Sequence, residues 1–247
     1  MLGSDDRHIP WRTPELRMPA LTPIRQELSV GTQDAFRAVR EELANALTHG
    51  IGLIASLCGG TVLITLAARM GDGWQLAGAI VYSLSMLLLY SASTLYHSIH
   101  DVAIKARLKV LDHCSIYILI AGTYTPVTLI SLRGPIGWML FGTVWTLALI
   151  GIVFKLFYTG RFKRVSTILY IAMGWLALFA IKPVVHALTA TALLWLVIGG
   201  IAYTFGTVFY LNRRIRYTHA IWHVFVLLGS VSHFISISMQ VLQRPMG

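Results

Sequence analysis

Seven apolar stretches, each long enough to cross a bilayer, constrain this chain more than any other feature. About 20 helical residues cover roughly 30 Å of hydrocarbon. Runs of that kind fall near residues 48–69, 75–98, 110–131, 134–155, 166–183, 185–210 and 219–241. Hydrocarbon gives a backbone no outside partner, so each spanning stretch has to satisfy its own polar groups as a helix. The predicted fold is an all-α membrane protein, a seven-transmembrane helix bundle. Composition agrees: 56% of residues are hydrophobic, 12% are charged, and mean hydropathy is +0.68, outside the balance of soluble domains. Left fused, the fifth and sixth stretches would make one helix of about 45 residues, too long for any span. A turn is therefore predicted at Lys182–Pro183, in "KPVVH", where proline interrupts a helix.

The net charge of +10 raises nucleic acid as a partner, and the placement of the basic residues argues against it. Lys and Arg alternate along the chain: six before the first span, three between spans 2 and 3, four around the 4–5 turn with Lys155 included, and three between spans 6 and 7. The other segments hold only Arg69, Arg133, Lys182 and Arg244. By the positive-inside rule this puts the N-terminus in the cytoplasm and the C-terminus outside. The partners implied are membrane lipids, with no nucleic acid and no indication of oligomeric state. Two cysteines, Cys58 and Cys114, both inside spans, exclude a disulfide scaffold and a CxxC metal site. No apolar core of a signal peptide precedes Thr48, so the first span is expected to direct insertion itself, and a bacterial inner (plasma) membrane or a eukaryotic endomembrane would both fit.

Residues 1–31, with Pro10, Pro14, Pro19 and Pro23, read as a flexible cytoplasmic tail before a membrane domain over 32–247. In "TQDAFRAVREELANALTHG" the apolar residues Phe36, Val39, Leu43 and Leu47 recur at helical spacing. A short amphipathic helix capped by Thr32 or Asp34 and lying at the interface is predicted before span 1. Glu42, Asn45 and His49 recur on the same helix as a polar stripe that points back toward the bundle.

Ionisable groups inside spans are costly, which makes each a functional candidate. Span 2 ends in "YSASTLYHS", with Ser93 and His97 four apart; span 3 begins "VLDHC", with Asp112; span 7 begins "HAIWH", with His219 and His223 one turn apart. Given the alternating topology, His97, Asp112, His219 and His223 share one depth near the cytoplasmic face. Three imidazoles and a carboxylate on three helices suit zinc, which takes three protein nitrogens and leaves a position for water. Histidine at a helix end is more often a polar interfacial residue, and His100, His113 and His186 are read that way. His233 lies deeper, where one interhelical hydrogen bond accounts for it.

The motifs "EELANALTHG", "SASTLYH", "LDHCSIYILIAGTYTP" and "HAIWH", in that order, resemble the hemolysin III family, the bacterial branch of the PAQR superfamily that includes the adiponectin receptors. The resemblance runs from about Glu41 to the end of the chain. It implies a seven-helix bundle with a cytoplasmic N-terminus and Zn2+ bound by His97, His219 and His223. It also implies that Asp112 touches a water at the metal, that Ser93 lies one turn from it, and that Glu42, Asn45 and His49 form an entry motif of open role.

With three neutral imidazoles zinc keeps its full charge and acidifies a bound water. Asp112 is then the expected general base, and the Ser93 hydroxyl an aid to oxyanion stabilisation, for ceramidase-like hydrolysis of a lipid amide or ester. Two other classes stand beside this one: a pore-forming or cytolytic membrane protein, and a receptor-like regulator of membrane lipid composition with a structural zinc. A retinal protein is excluded because the last span has no lysine, and a bis-histidine haem because an i, i+4 pair converges on one point.

Overall fold

The computed structural model describes the backbone of residues 22–212 and 215–243, with side chains from residue 33. Of the tail expected over 1–31, residues 1–21 lie outside the described residues, and from Thr22 the backbone is helical. Eight helices follow: α1 Thr22–Met70, α2 Gly73–Ser98, α3 Val102–Pro126, α4 Pro135–Tyr158, α5 Lys163–Gly174, α6 Ile181–Ala187, α7 Ala190–Leu211 and α8 Thr218–Val241. A π turn at Val127–Ser131 extends α3, and a 3-10 turn at Leu176–Ala180 joins α5 to α6. Counting α5 through α6 as one crossing, seven helical segments among the described residues are long and apolar enough to span a membrane.

The amphipathic stretch before span 1 is not a separate helix. It is continuous with the span in α1, and its two faces have the polarity of a membrane environment. Phe36, Val39, Leu43 and Leu47 are exposed, as are Ile51 and Ile54, while Asn45 and His49 are buried. A polar stripe turned inward and an apolar stripe turned outward is the expected arrangement where the surroundings are hydrocarbon.

The turn predicted at Lys182–Pro183 lies elsewhere. Pro183 sits in the first turn of α6, where its missing N–H would have had no helical partner. The chain reverses at Leu188–Thr189, and the Thr189 hydroxyl caps α7 by accepting from the Ala192 N–H at 3.2 Å. Span 5 is instead interrupted at Trp175, between α5 and the 3-10 turn.

Two buried apolar clusters hold the bundle. One gathers Tyr117, Val144, Tyr170 and Val184 from the α3 to α6 side; the other gathers Leu63, Tyr82, Tyr90 and Ile237 from α1, α2 and α8. Small residues let α7 and α8 approach closely, as helices in membranes require. A Cβ on Gly199 would lie 2.1 Å from the His233 ring, and one on Gly229 2.6 Å from Tyr203. Tyr90 donates to Ser230 Oγ at 2.7 Å, and the Tyr203 hydroxyl lies at the same distance from it. At the opposite end from the histidines, Asp72 and Gln75 form a capping box for α2, and the Gln75 amide donates to the Val241 carbonyl at the end of α8 at 2.9 Å.

Candidate metal centre

The end of α2 and the start of α8 meet at one end of the bundle, which brings His97 next to His219 and His223. The ring centroids of His97 and His219 are 5.1 Å apart, those of His97 and His223 5.1 Å, and those of His219 and His223 4.6 Å. One nitrogen from each of the three lies within 4.8 Å of the others. A tetrahedral ion with nitrogens at about 2.0–2.1 Å separates them by about 3.4 Å, so small side-chain movements complete a ligand set.

Hydrogen bonds fix which nitrogens face inward. His97 Nδ1 donates to Glu42 Oε2 at 2.8 Å, a carboxylate that Lys105 also approaches at 3.2 Å. His97 Nε2 is left buried with no partner among the described residues. His223 Nδ1 donates to the Asn45 carbonyl at 3.1 Å, with Thr48 Oγ1 at the same distance. Outer contacts of this kind set the tautomer of a metal-binding histidine and aim its free lone pair. An orphaned, buried imidazole nitrogen within such a trio fits a divalent metal with nitrogen preference, zinc foremost.

The entry motif thereby acquires contacts, all from one face of α1. Glu42 holds His97, the Asn45 backbone holds His223, and the His49 ring stacks on His223 with centroids 3.4 Å apart. Both His49 nitrogens and Asn45 Oδ1 are buried without partners among the described residues. Thr48, between Asn45 and His49, escaped the sequence reading, although its place inside that motif was a usable signal.

A cavity of about 400 Å³ opens from the trio into the bundle. Asp112 lines it together with His97, His219 and His223. The Ser93 hydroxyl is buried without a hydrogen-bond partner among the described residues, and Ser93 is not among the residues on the cavity wall. His113 turns away from the trio: its Nδ1 donates to the Lys109 carbonyl at 2.7 Å, and Nε2 lies 3.5 Å from the Tyr210 hydroxyl. His233 donates through Nε2 to the Leu196 carbonyl at 3.1 Å, while His100 and His186 are exposed. Toward the bundle centre the wall becomes apolar and aromatic, with Leu89, Ile116, Leu119, Val226, Tyr124 and Trp175.

Comparison with known proteins agrees with this architecture. The family model described as "Haemolysin-III related" matches residues 37–234. The chain is similar to "Hemolysin-3" of Bacillus cereus, 48% identical over 204 residues that cover 83% of this chain and 93% of that protein. It is similar to the "Hemolysin-3 homolog" of Bacillus subtilis (strain 168), 45% identical over 207 residues, 84% of this chain and 97% of the other. More distantly it resembles the human "Monocyte to macrophage differentiation factor", 28% identical over 214 residues, 83% of this chain and 86% of that one.

Proposed function

Because the chain belongs to the haemolysin-III-related family of multi-pass membrane proteins, we propose that it is a resident membrane enzyme, a zinc-dependent hydrolase of a lipid amide or ester. The observation that carries this reading is the buried, partnerless Nε2 of His97, aimed by Glu42 and grouped with His219 and His223. A zinc ion held by the three imidazoles would supply a Lewis acid and a water with its pKa lowered toward about 7.

The chain's own residues do the rest. Glu42 and the Asn45 carbonyl keep two rings in the ligating tautomer. Asp112, on the cavity wall beside the trio, accepts a proton as the carbonyl is attacked and returns it to the leaving amine or alkoxide. The apolar reach of the cavity, from His219 to His233 on α8, spans about 21 Å at 1.5 Å per residue and has room for an acyl chain. The alternating basic segments support a cytoplasmic N-terminus and so a site near the inner leaflet.

Elemental analysis of the purified protein beside the His219→Ala/His223→Ala double variant tests the metal. About one zinc per chain in the parent and a loss of most of it in the variant are expected; equal content in both overturns the site. Turnover of a ceramide-like amide and of an ester lipid is expected to vanish in Asp112→Ala with zinc retained. A second reading, a pore-forming or cytolytic role, is favoured by the name of the Bacillus cereus relative. Dye-loaded liposomes separate the two, since leakage that persists after chelation supports the pore and counts against the enzyme.

A further inference from the structure

Around the turn between α4 and α5 the same cavity carries a second group of side chains that the hydrolytic reading leaves unused. Lys109 comes from the start of α3, Lys155 from the end of α4 and Lys163 from the start of α5, and all three line the wall. Gly160, at φ +85° in the turn, brings the backbone close enough that a Cβ there would lie 3.7 Å from Lys109 Nζ. Lys163 Nζ lies 3.8 Å from the Tyr210 ring centroid and donates to the Tyr210 carbonyl. Tyr210 in turn lies 6.0 Å from the His219 ring, so Lys163 is one aromatic ring away from the histidine trio.

Lys155 makes this arrangement informative. It is 1% exposed, in an otherwise apolar helix, and among the described residues no carboxylate, carbonyl or hydroxyl pairs with its Nζ. The acids within reach are engaged elsewhere: Glu42 with His97 and Lys105, and Asp112 beside Ser93 and His113. No acidic residue follows Asp112 in the sequence, so α4 to α8 have no anion of their own. The positive-inside rule accounts for Arg107, Arg161 and Arg164, which are exposed at this end. It does not account for a lysine that is 1% exposed and lines the cavity wall, since an ionisable side chain inside a span is costly and marks function.

We propose that Lys109, Lys155 and Lys163 form an anion cradle that holds the phosphate group of a membrane lipid whose chains occupy the apolar part of the cavity. Three separate ammonium groups suit a tetrahedral anion with several free oxygens better than the two oxygens of a carboxylate, and lysine binds phosphate as a point charge. Basic pockets between transmembrane helices near the cytoplasmic face are established places for lipid phosphates. The cradle does not depend on the hydrolytic reading: it predicts binding whether or not the metal centre turns the lipid over.

Native mass spectrometry of the purified full chain in neutral detergent tests it, with phosphatidylglycerol, diacylglycerol or inorganic phosphate as the added probe. Each titration is run with and without prior chelation, so that anion binding to a metal is told apart from binding to the lysines. Phosphatidylglycerol is expected to form a one-to-one adduct that survives chelation and weakens at least tenfold in Lys155→Met, but not in Lys182→Met, where the lysine is exposed and far along the chain. Diacylglycerol is expected to show no dependence on Lys155. Equal phosphatidylglycerol binding by the parent and Lys155→Met overturns the cradle. Binding of inorganic phosphate that depends on Lys155, with no such lipid binding, overturns the lipid as its source. A thermal melt confirms that the variant folds; if it does not, Lys109→Met, at a half-buried position, carries the same test.

Discussion

Glu42 and Asn45 lie about one turn apart on α1, and both contact the histidine trio. Neither is in the histidine trio, yet one fixes His97 by its carboxylate and the other fixes His223 by its backbone carbonyl. The two contacts differ in how far a mutation can disturb them. Replacing the Asn45 side chain leaves its carbonyl in place, whereas Glu42→Gln removes the charge that favours a donating His97 Nδ1. Outer contacts of this type are worth about 10- to 100-fold in metal affinity. Glu42→Gln is therefore expected to lower zinc affinity by that factor in a chelator competition, with the helical content of the protein unchanged. Parental affinity would mean that His97 is oriented without Glu42. At Asp112, Asp112→Asn keeps the shape and removes the proton acceptor, so zinc content should hold while lipid turnover falls by the factor of about 10² to 10⁴ typical of a lost general base.

Helix contacts determine how these residues meet, and the closest are made by small residues. Gly199 on α7 faces the half-buried ring of His233, with the Gly229 carbonyl behind it. Gly199→Ala forces that ring or the helix to shift, and overpacking of this kind costs about 1–3 kcal/mol. The expected result is a lower melting temperature in detergent, and an unchanged one would show that the α7–α8 contact yields easily. At the other end of the bundle Asp72 caps α2. Slight burial acts to raise its pKa, but the Gln75 backbone N–H, the Arg133 guanidinium and the Trp74 N–H outweigh it and hold the carboxyl below its ordinary value. A carboxylate shifted down in this way contributes stability above its unfolded pKa of about 3.9, and the contribution is lost as pH falls through the lower folded value. Melting temperature should therefore drop on acidification below about pH 4 in the parent and less steeply in Asp72→Asn. At neutral pH Asp72→Ala should cost about 0.5–2 kcal/mol, the usual range for a lost N-cap.

For the whole molecule, the topology read from charge is open to direct test. Reporter fusions that are active only in the cytoplasm or only outside it should place the N-terminus inside and the C-terminus outside, and the reverse result would move the metal centre to the other leaflet. Seven spans were legible because hydrocarbon imposes length and apolarity on every segment that crosses it, a constraint that acts locally and leaves its mark in any window of about 20 residues. The three histidines were legible for a related reason: costly groups in apolar helices stand out, and alternating topology fixes their depth. The division of spans 5 and 6 was misread at Lys182–Pro183, since proline is accepted in the first turn of a helix and the true reversal rests on the weaker signal of a Thr189 cap. Which nitrogens of His97 and His223 are held, and that Lys155 shares a cavity with His219, came only from the tertiary structure. Such features are relations between helices far apart in the chain, set by side-chain packing and hydrogen bonding across their contacts, and no window of sequence contains both partners.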